Sequence, residues 1–208
     1  MNATLTEHST HLVLPKGGEL RFNYKPQIKR ISLDEFEKIC DLNRDMQIEM
    51  DKDGDVIIMP PVHSDTSEKN SEIGYQLNHW AKKDKSGKVY ESSGGFVLPN
   101  GAIRSPDACW ISKERLEKLS AKERHGFINI CPDFVIELRS ATDSIQKLKA
   151  KMVEYIENGA KLGWLIDASK KRVYVYRQNK NVEILENPLT LSGENILNGF
   201  ELDLSEIF

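Results

Sequence analysis

Apolar residues along the chain recur at helical spacing in some segments and at strand spacing in others. Apolar positions three and four residues apart predict helices over about 32–43, 66–84 and 143–159. A mostly polar segment over 113–124 predicts a further helix at the surface. Two apolar runs flank Asp53 and Gly54, which predicts a β-hairpin that closes before the Pro60-Pro61 pair.

The second half of the chain contains most of the predicted strands. Short strands are expected over 89–111, with a hairpin turn at Asn100-Gly101. The run "DFVIELR" is apolar on both faces and predicts a strand in the centre of a sheet. Further strands follow the helix that Gly159 ends. We therefore predict an α/β (α+β) fold with a mixed central sheet flanked by helices and an N-terminal hairpin extension.

Length and composition limit the domain organisation. A chain of 208 residues has room for one domain with a substantial core, and no repeat or linker divides it. Residues 1–30 are polar and contain several Pro and Gly, which predicts an N-terminal arm ahead of a single domain over 31–208.

The net charge of −3 argues against a protein that coats duplex DNA, because phosphate neutralisation supplies most nonspecific affinity. An enzyme with a local basic groove remains compatible with it. No apolar run reaches the roughly 20 residues of a membrane span, and the first residues lack the pattern of a secretion signal. We expect a cytoplasmic protein.

Two Pro-Asp pairs offer alternative partners for Glu137. Asp133 lies on the same predicted strand, four residues from Glu137, so their Cα atoms are about 13 Å apart at a rise of about 3.3 Å per residue. Two short carboxylates at that distance cannot easily share one Mg²⁺, which needs oxygens at about 2.1 Å. Asp107 lies on a different predicted strand, and it can meet Glu137 across neighbouring strands if the two strands pair.

Asp107 and Glu137 are hard oxygen ligands of the kind that Mg²⁺ and Mn²⁺ prefer. Arg139 projects from the same face two residues after Glu137; it can grip a phosphate but cannot act as a base. Lys147, Lys151, Glu154 and Asn158 form one stripe on the following helix. Such a stripe is commonly a solvated face, although Lys151 could instead point into the site.

Several segments in order resemble the Uma-type family of putative restriction endonucleases, whose fold is similar to that of PD-(D/E)XK nucleases. They are "MQIEMDKDGDVIIMPP", "DTSEKNSEI", "GGFVLPNGAIRSPDACWI", "CPDFVIELRSATDSIQKLKAKMVEYIENGAKLGWLIDASKKRVYVYR" and "LNGFELDLSEIF". The resemblance covers most of residues 45–208 and implies a restriction-endonuclease-like core.

The resemblance also implies roles for single residues. Asp107 and Glu137 match the metal-binding acids, and Glu72 matches an acid that related folds supply from an early helix, with Asn70 a weaker candidate there. Lys151 matches a lysine that could replace the one missing at Arg139. Tyr155 is as compatible with the core as with the site.

The resemblance implies Mg²⁺- or Mn²⁺-dependent cleavage of nucleic acid, with DNA as the expected substrate. A homodimer is also expected, because cutting both strands usually needs two active centres. No nucleotide cofactor is expected. Because arginine stands where the superfamily pattern has lysine, the alternative is a catalytically idle module that binds nucleic acid or protein.

Overall fold

The computed structural model describes residues 31–59, 61–121, 123–124 and 126–208, together with the backbone of 20–22. Its helices are α1 (Leu33–Leu42), α2 (Ser64–Asp84), α3 (Lys113–Glu117) and α4 (Ile145–Glu157). The strands of the first half are β1 (Leu20–Phe22), β2 (Gln47–Met50), β3 (Val56–Met59), β4 (Gly87–Glu91), β5 (Phe96–Val97) and β6 (Ile103–Arg104). The strands of the second half are β7 (Ala108–Ser112), β8 (Phe134–Leu138), β9 (Leu162–Asp167), β10 (Arg172–Arg177), β11 (Glu183–Glu186), β12 (Thr190–Ser192) and β13 (Glu201–Asp203).

A mixed six-stranded sheet in the order β11-β10-β9-β8-β7-β4 forms the centre of the fold. Its β8 and β9 are parallel, whereas the other neighbouring strands are antiparallel. Every residue of β8 is buried, as the apolar run predicted. The predicted α/β fold with a mixed central sheet is confirmed.

The two faces of the central sheet pack against different layers. Ala108 and Trp110 of β7 point into a core shared with α2 and the C-terminal segment. Cys109 and Ile111 point into a second core, which contains Met152 of α4. This alternation is the one that a period of two residues predicts for the strand.

The predicted hairpin, β2 and β3, belongs to a second sheet in the order β1-β3-β2-β6-β5. The second sheet includes the hairpin predicted at Asn100-Gly101, whose strands are β5 and β6. Its first strand, β1, comes from the predicted N-terminal arm; residues 1–19 and 23–30 of that arm lie outside the described residues. The N-terminal extension is therefore more than a hairpin, because β1 pairs with one edge of the β2–β3 hairpin and β6 pairs with the other.

Local signals set several element ends. Ser32 and Glu35 form a reciprocal capping box at the start of α1. The helix predicted over 113–124 ends at Glu117, which corrects its length. Beyond it, the side chains of Ser120 and Glu123 each accept a hydrogen bond from the other residue's backbone N–H, and such local bonds favour a turn over a continued helix. None of the helices in the described part of the chain is long and apolar enough to cross a membrane.

Candidate active site

The pairing of β7 with β8 brings two of the predicted acids onto neighbouring strands. The register sets Ala108 opposite Ile136 in an antiparallel ladder. Asp107 precedes Ala108 and Glu137 follows Ile136, so the two acids come next in register at that end of the ladder. Asp107 also accepts a hydrogen bond from the backbone N–H of Leu138, whose nitrogen is 2.7 Å from Oδ2. Both strands therefore fix the carboxylate of Asp107.

Helix α4 places the side chain of Lys151 next to Glu137. Lys151 Nζ lies 2.8 Å from Glu137 Oε1 and 2.9 Å from Glu49 Oε1, so one ammonium group joins two carboxylates. Tyr155, one helical turn later, donates its O–H to the same oxygen of Glu137 over 3.0 Å. Because Met152 anchors α4 in the core at this point, Lys151 is held toward the sheet and its side chain is only 13% exposed.

Glu49 is a site residue that the sequence patterns did not single out. It lies on β2 and is buried, and its Oε1 accepts a hydrogen bond from the backbone N–H of Ser105 over 2.8 Å. Its Oε2 lies 3.1 Å from Arg104 Nη1. The one available signal was a glutamate between two apolar residues in a hairpin strand, and period-two alternation would place it with Gln47 on the solvent side.

Arg104 continues the network to helix α4. Its Nε lies 2.6 Å from Glu154 Oε2, and Asn100 Nδ2 donates to Glu154 Oε1 over 3.0 Å. Asn158 Oδ1 accepts from the backbone N–H of Asn100 over 2.8 Å. We call the six charged side chains the charge cluster; they are Glu49, Arg104, Asp107, Glu137, Lys151 and Glu154. When all are ionised, its carboxylates outnumber its cations by two.

Two acids of the charge cluster hold their protons more tightly than usual. Burial raises the pKa of Asp107 to about 6, although the Leu138 N–H and Lys151 oppose this shift. Burial raises the pKa of Glu137 to about 7, helped by the nearby negative charge of Asp107 and opposed by Lys151. An additional cation between these two groups would relieve both penalties.

Glu49 and Lys151 behave differently from these two acids. Burial alone would raise the pKa of Glu49, but Lys151 and Arg104 together hold it below its ordinary value. Burial alone would lower the pKa of Lys151, but the charges of Glu137 and Glu49 hold it above its ordinary value. Lys151 is therefore an ammonium group at neutral pH, with its charge shared by the two glutamates.

The oxygen donors around Asp107 and Glu137 fit a hard divalent cation. The described residues contain no group of three or more His, Cys, Asp or Glu side chains placed together as a metal site. Besides the two carboxylates, an amide offers a further oxygen. Asn70 Oδ1 is buried without a hydrogen-bond partner, and Asn70 Nδ2 lies 3.4 Å from Asp107 Oδ1. A buried oxygen without a donor beside a carboxylate is chemically suited to a cation.

The family described as "Uma2: Putative restriction endonuclease" matches residues 33–205. The chain belongs to this family. A crystal structure of a "putative nuclease belonging to DUF820" from Anabaena variabilis ATCC 29413 is similar, with a TM-score of 0.72 and 23% sequence identity. The similarity covers 86% of this chain and 97% of the other, and at this identity it establishes the fold. A search of curated proteins gave no match.

Arg139, the predicted phosphate ligand of this Uma2-family chain, is engaged elsewhere. Its Nη1 lies 2.9 Å from Asp167 Oδ2, and its Nε lies 3.4 Å from the backbone oxygen of Asp143, to which it donates. Asp167 ends β9 and is buried. The structure therefore ties Arg139 to the neighbouring strand rather than to Glu137.

Glu72 is also apart from the charge cluster. Its Oε1 accepts from Gln76 Nε2 over 2.9 Å, and the same nitrogen donates to the backbone oxygen of Asp203. Glu72 borders a shallow surface depression with Tyr75 and Glu206. Two residues along a helix are about 200° apart, so a helix that turns Asn70 toward Asp107 turns Glu72 away.

Two further sequence expectations concern charged residues. Asp133 is fully buried and joins three elements: Ser112 N donates to it, and Arg115 and Lys161 form ion pairs with it at 3.1 and 2.8 Å. The stripe along α4 is not a solvated face at Lys151, Glu154 and Asn158, because the second sheet covers them. Lys147, at the start of the stripe, is exposed.

Proposed function

We propose that this protein is a divalent-metal-dependent nuclease that hydrolyses phosphodiester bonds in DNA. The observation that carries the proposal is the placement of Lys151 Nζ within 2.8 Å of Glu137, on the strand beside Asp107. Two acids can hold a metal ion that activates water and stabilises charge on the phosphate, and a buried lysine can orient the water or a phosphate oxygen. Membership in a family of putative restriction endonucleases supports the same reaction.

Asp107 and Glu137 would hold Mg²⁺ or Mn²⁺, and Glu49, rather than Glu72, is the third acid close to them. Such a cation, when bound, lowers the pKa of a bound water and stabilises charge on the phosphate. Lys151 would orient the attacking water or a phosphate oxygen with its ammonium protons. Tyr155 fixes one oxygen of Glu137, which keeps the carboxylate in a single orientation.

Arg139 has a smaller role than Lys151 in the proposed mechanism. Asp167 occupies one edge of its guanidinium group, and the side chain is 20% exposed. An arginine so restrained can contact a phosphate with its remaining N–H groups but cannot take up a proton from water. We therefore assign the lysine function of the superfamily to Lys151. A homodimer would supply the two centres needed to cut both strands.

Calorimetric titration with Mn²⁺ tests the metal site without knowledge of the substrate. We expect saturable binding by the wild type, and loss of it in Asp107→Ala and in Glu137→Ala. Glu72→Ala is the matched control, because it removes an acid that has no hydrogen bond or ion pair to the charge cluster within the described residues. Equal affinities in all four proteins would contradict the proposed site.

Cleavage of supercoiled and linear DNA in Mn²⁺ tests the reaction. We expect Lys151→Met to abolish cleavage while Mn²⁺ binding persists, since methionine keeps the length of the side chain and removes its charge. Cleavage by Lys151→Met at the wild-type rate would contradict the role of this lysine. Sedimentation of the enzyme with and without DNA would test the homodimer.

Arg139 favours a second candidate, a nuclease-like module that binds nucleic acid without cutting it. Its ion pair with Asp167 occupies the position where the superfamily pattern has the catalytic lysine. A module of this kind would bind DNA with an affinity that falls with salt and does not depend on Mn²⁺. Absence of cleavage across metals and substrates, together with such binding, would select this alternative.

A further inference from the structure

Asn70 presents an unusual combination of contacts. It lies on α2, and its Nδ2 is 3.4 Å from Asp107 Oδ1. The other polar atom of the same amide, Oδ1, is buried and has no hydrogen-bond partner. A buried oxygen without a hydrogen-bond partner is energetically costly, and a donor or a cation that bound to it would remove this cost.

The distance to Asp107 matches the geometry of a shared cation. A half-turn of the amide about its Cβ–Cγ bond exchanges oxygen and nitrogen, and it would set Oδ1 near the present position of Nδ2, 3.4 Å from Asp107 Oδ1. Two oxygens on adjacent positions of an octahedral Mg²⁺ are roughly 3 Å apart, given metal–oxygen distances of about 2.1 Å. A small approach of the two side chains is enough to close the difference.

We propose that Asn70 is a metal-ligating residue that supplies an amide oxygen to the cation held by Asp107 and Glu137. Without metal, its nitrogen donates to Asp107 and moderates the cost of burying that carboxylate. With metal, the rotated amide contributes oxygen instead. This inference rests on the proposed function, and it replaces the helix acid expected at Glu72 with a neutral ligand two residues earlier.

The neutrality of Asn70 has a physical reason. The charge cluster already contains two more carboxylates than cations, and Asp107, one of those carboxylates, lies 3.4 Å from the Asn70 amide. A further acid beside Asp107 would repel it in the metal-free protein, whereas an amide adds an oxygen ligand without charge. An amide can turn either its donor nitrogen or its acceptor oxygen toward Asp107, whereas an ionised aspartate has only acceptor oxygens.

Calorimetric Mn²⁺ binding at pH 8 by Asn70→Ala, Asn70→Asp and Asn70→Ser tests the proposal. Asn70→Ala removes both polar atoms, and we expect at least a tenfold loss of affinity, the lower end of the cost found when a metal-site partner is removed. Asn70→Asp removes the donor but keeps an oxygen, so we expect binding at least as tight as that of the wild type. Asn70→Ser, with a short oxygen, should fall between the two.

The matched control is Asn78→Ala, on the same helix two turns later. Asn78 is exposed and its Nδ2 donates to the backbone oxygen of Gly74, so Mn²⁺ affinity should stay within twofold of wild type. Thermal unfolding of each metal-free variant, compared with the same protein in Mn²⁺, provides a second readout that does not depend on activity.

The outcomes separate this inference from the proposed function. Wild-type affinity in Asn70→Ala would overturn the inference, while binding that still requires Asp107 would leave the proposed function intact. Equal losses in Asn70→Ala and Asn70→Asp would also overturn it, because the lost donor rather than the oxygen would then explain the effect. Absence of metal binding by the wild type would overturn both.

Discussion

Replacement of Arg104 by methionine tests how far the charge cluster depends on its internal pairing. Arg104 is 3.1 Å from Glu49 Oε2 and 2.6 Å from Glu154 Oε2, and its side chain is 10% exposed. Methionine fills similar space without charge. The substitution leaves Glu49 with Lys151 and the Ser105 N–H as partners, so one buried carboxylate oxygen loses its cation.

The expected cost follows from the burial of both partners. Removing one member of a buried ion pair typically destabilises a protein by about 3–5 kcal/mol, because the remaining charge is left uncompensated. Arg104 also helps to hold the pKa of Glu49 below its ordinary value. Its removal raises that pKa relative to the wild type, so the extra cost applies where Glu49 is ionised and fades as the carboxyl takes up a proton at low pH. The loss in Arg104→Met should therefore be larger at pH 8 than at pH 4.

Urea unfolding followed by circular dichroism at both pH values measures the effect. Arg44→Met is the matched control, because Arg44 pairs with Asp41 at the surface, where both side chains are more than 70% exposed. We expect little change there. Adding Glu154→Gln to Arg104→Met should recover part of the loss, since it removes one uncompensated acid. A cost equal to that of Arg44→Met, or one that does not vary with pH, would refute the reasoning.

Three further predictions concern single groups. Tyr155→Phe removes the O–H that donates to Glu137. Urea titration should show a loss of about 1.5–3 kcal/mol of unfolding free energy, as expected for a hydrogen bond to a charged group. A loss below about 0.5 kcal/mol, less than that of an ordinary hydrogen bond, would argue against this role. Because the pKa values of Asp107 and Glu137 are raised, the metal-free protein should lose stability as pH rises from about 4.5 to 7.5, and Asp107→Asn with Glu137→Gln should flatten this slope; a steeper slope in the double variant would contradict the assignment. Asp133→Asn weakens two ion pairs of a fully buried acid and should lower the melting temperature without altering Mn²⁺ affinity in the folded protein; altered affinity would show that it acts on the site.

Local sequence signals determined the elements of the fold. The Ser32 cap with Glu35 three residues later sets the start of α1, because both partners lie within one helical turn. Strand β8 is apolar on both faces, and it is buried in the centre of the sheet. The rise per residue of a strand was enough to favour Asp107 over Asp133 as the partner of Glu137. The observed ladder places β7 beside β8.

Tertiary packing decided which charges meet. Glu49 looked like a solvent-facing residue of a hairpin, but the second sheet turns that face onto α4, and Arg104 with Lys151 compensates its burial. No spacing within β2 reveals this, because the covering helix lies about a hundred residues later in the chain. The same covering explains why the stripe that contains Lys151 is not solvated.

The positions of Arg139 and Asn70 have the same origin. The parallel register of β8 and β9 pairs Leu138 with Ile166, and the next residues are Arg139 and Asp167, which form an ion pair. The rotation of α2 about its axis, set by its buried residues Ile73 and Leu77, turns Asn70 toward Asp107. The sequence alone predicted most of the helices and strands and singled out Asp107 and Glu137 as candidate ligands, since these inferences depend on neighbours along the chain. The partners of each charge depend on register and on the rotation of packed helices, which only the assembled tertiary structure decides.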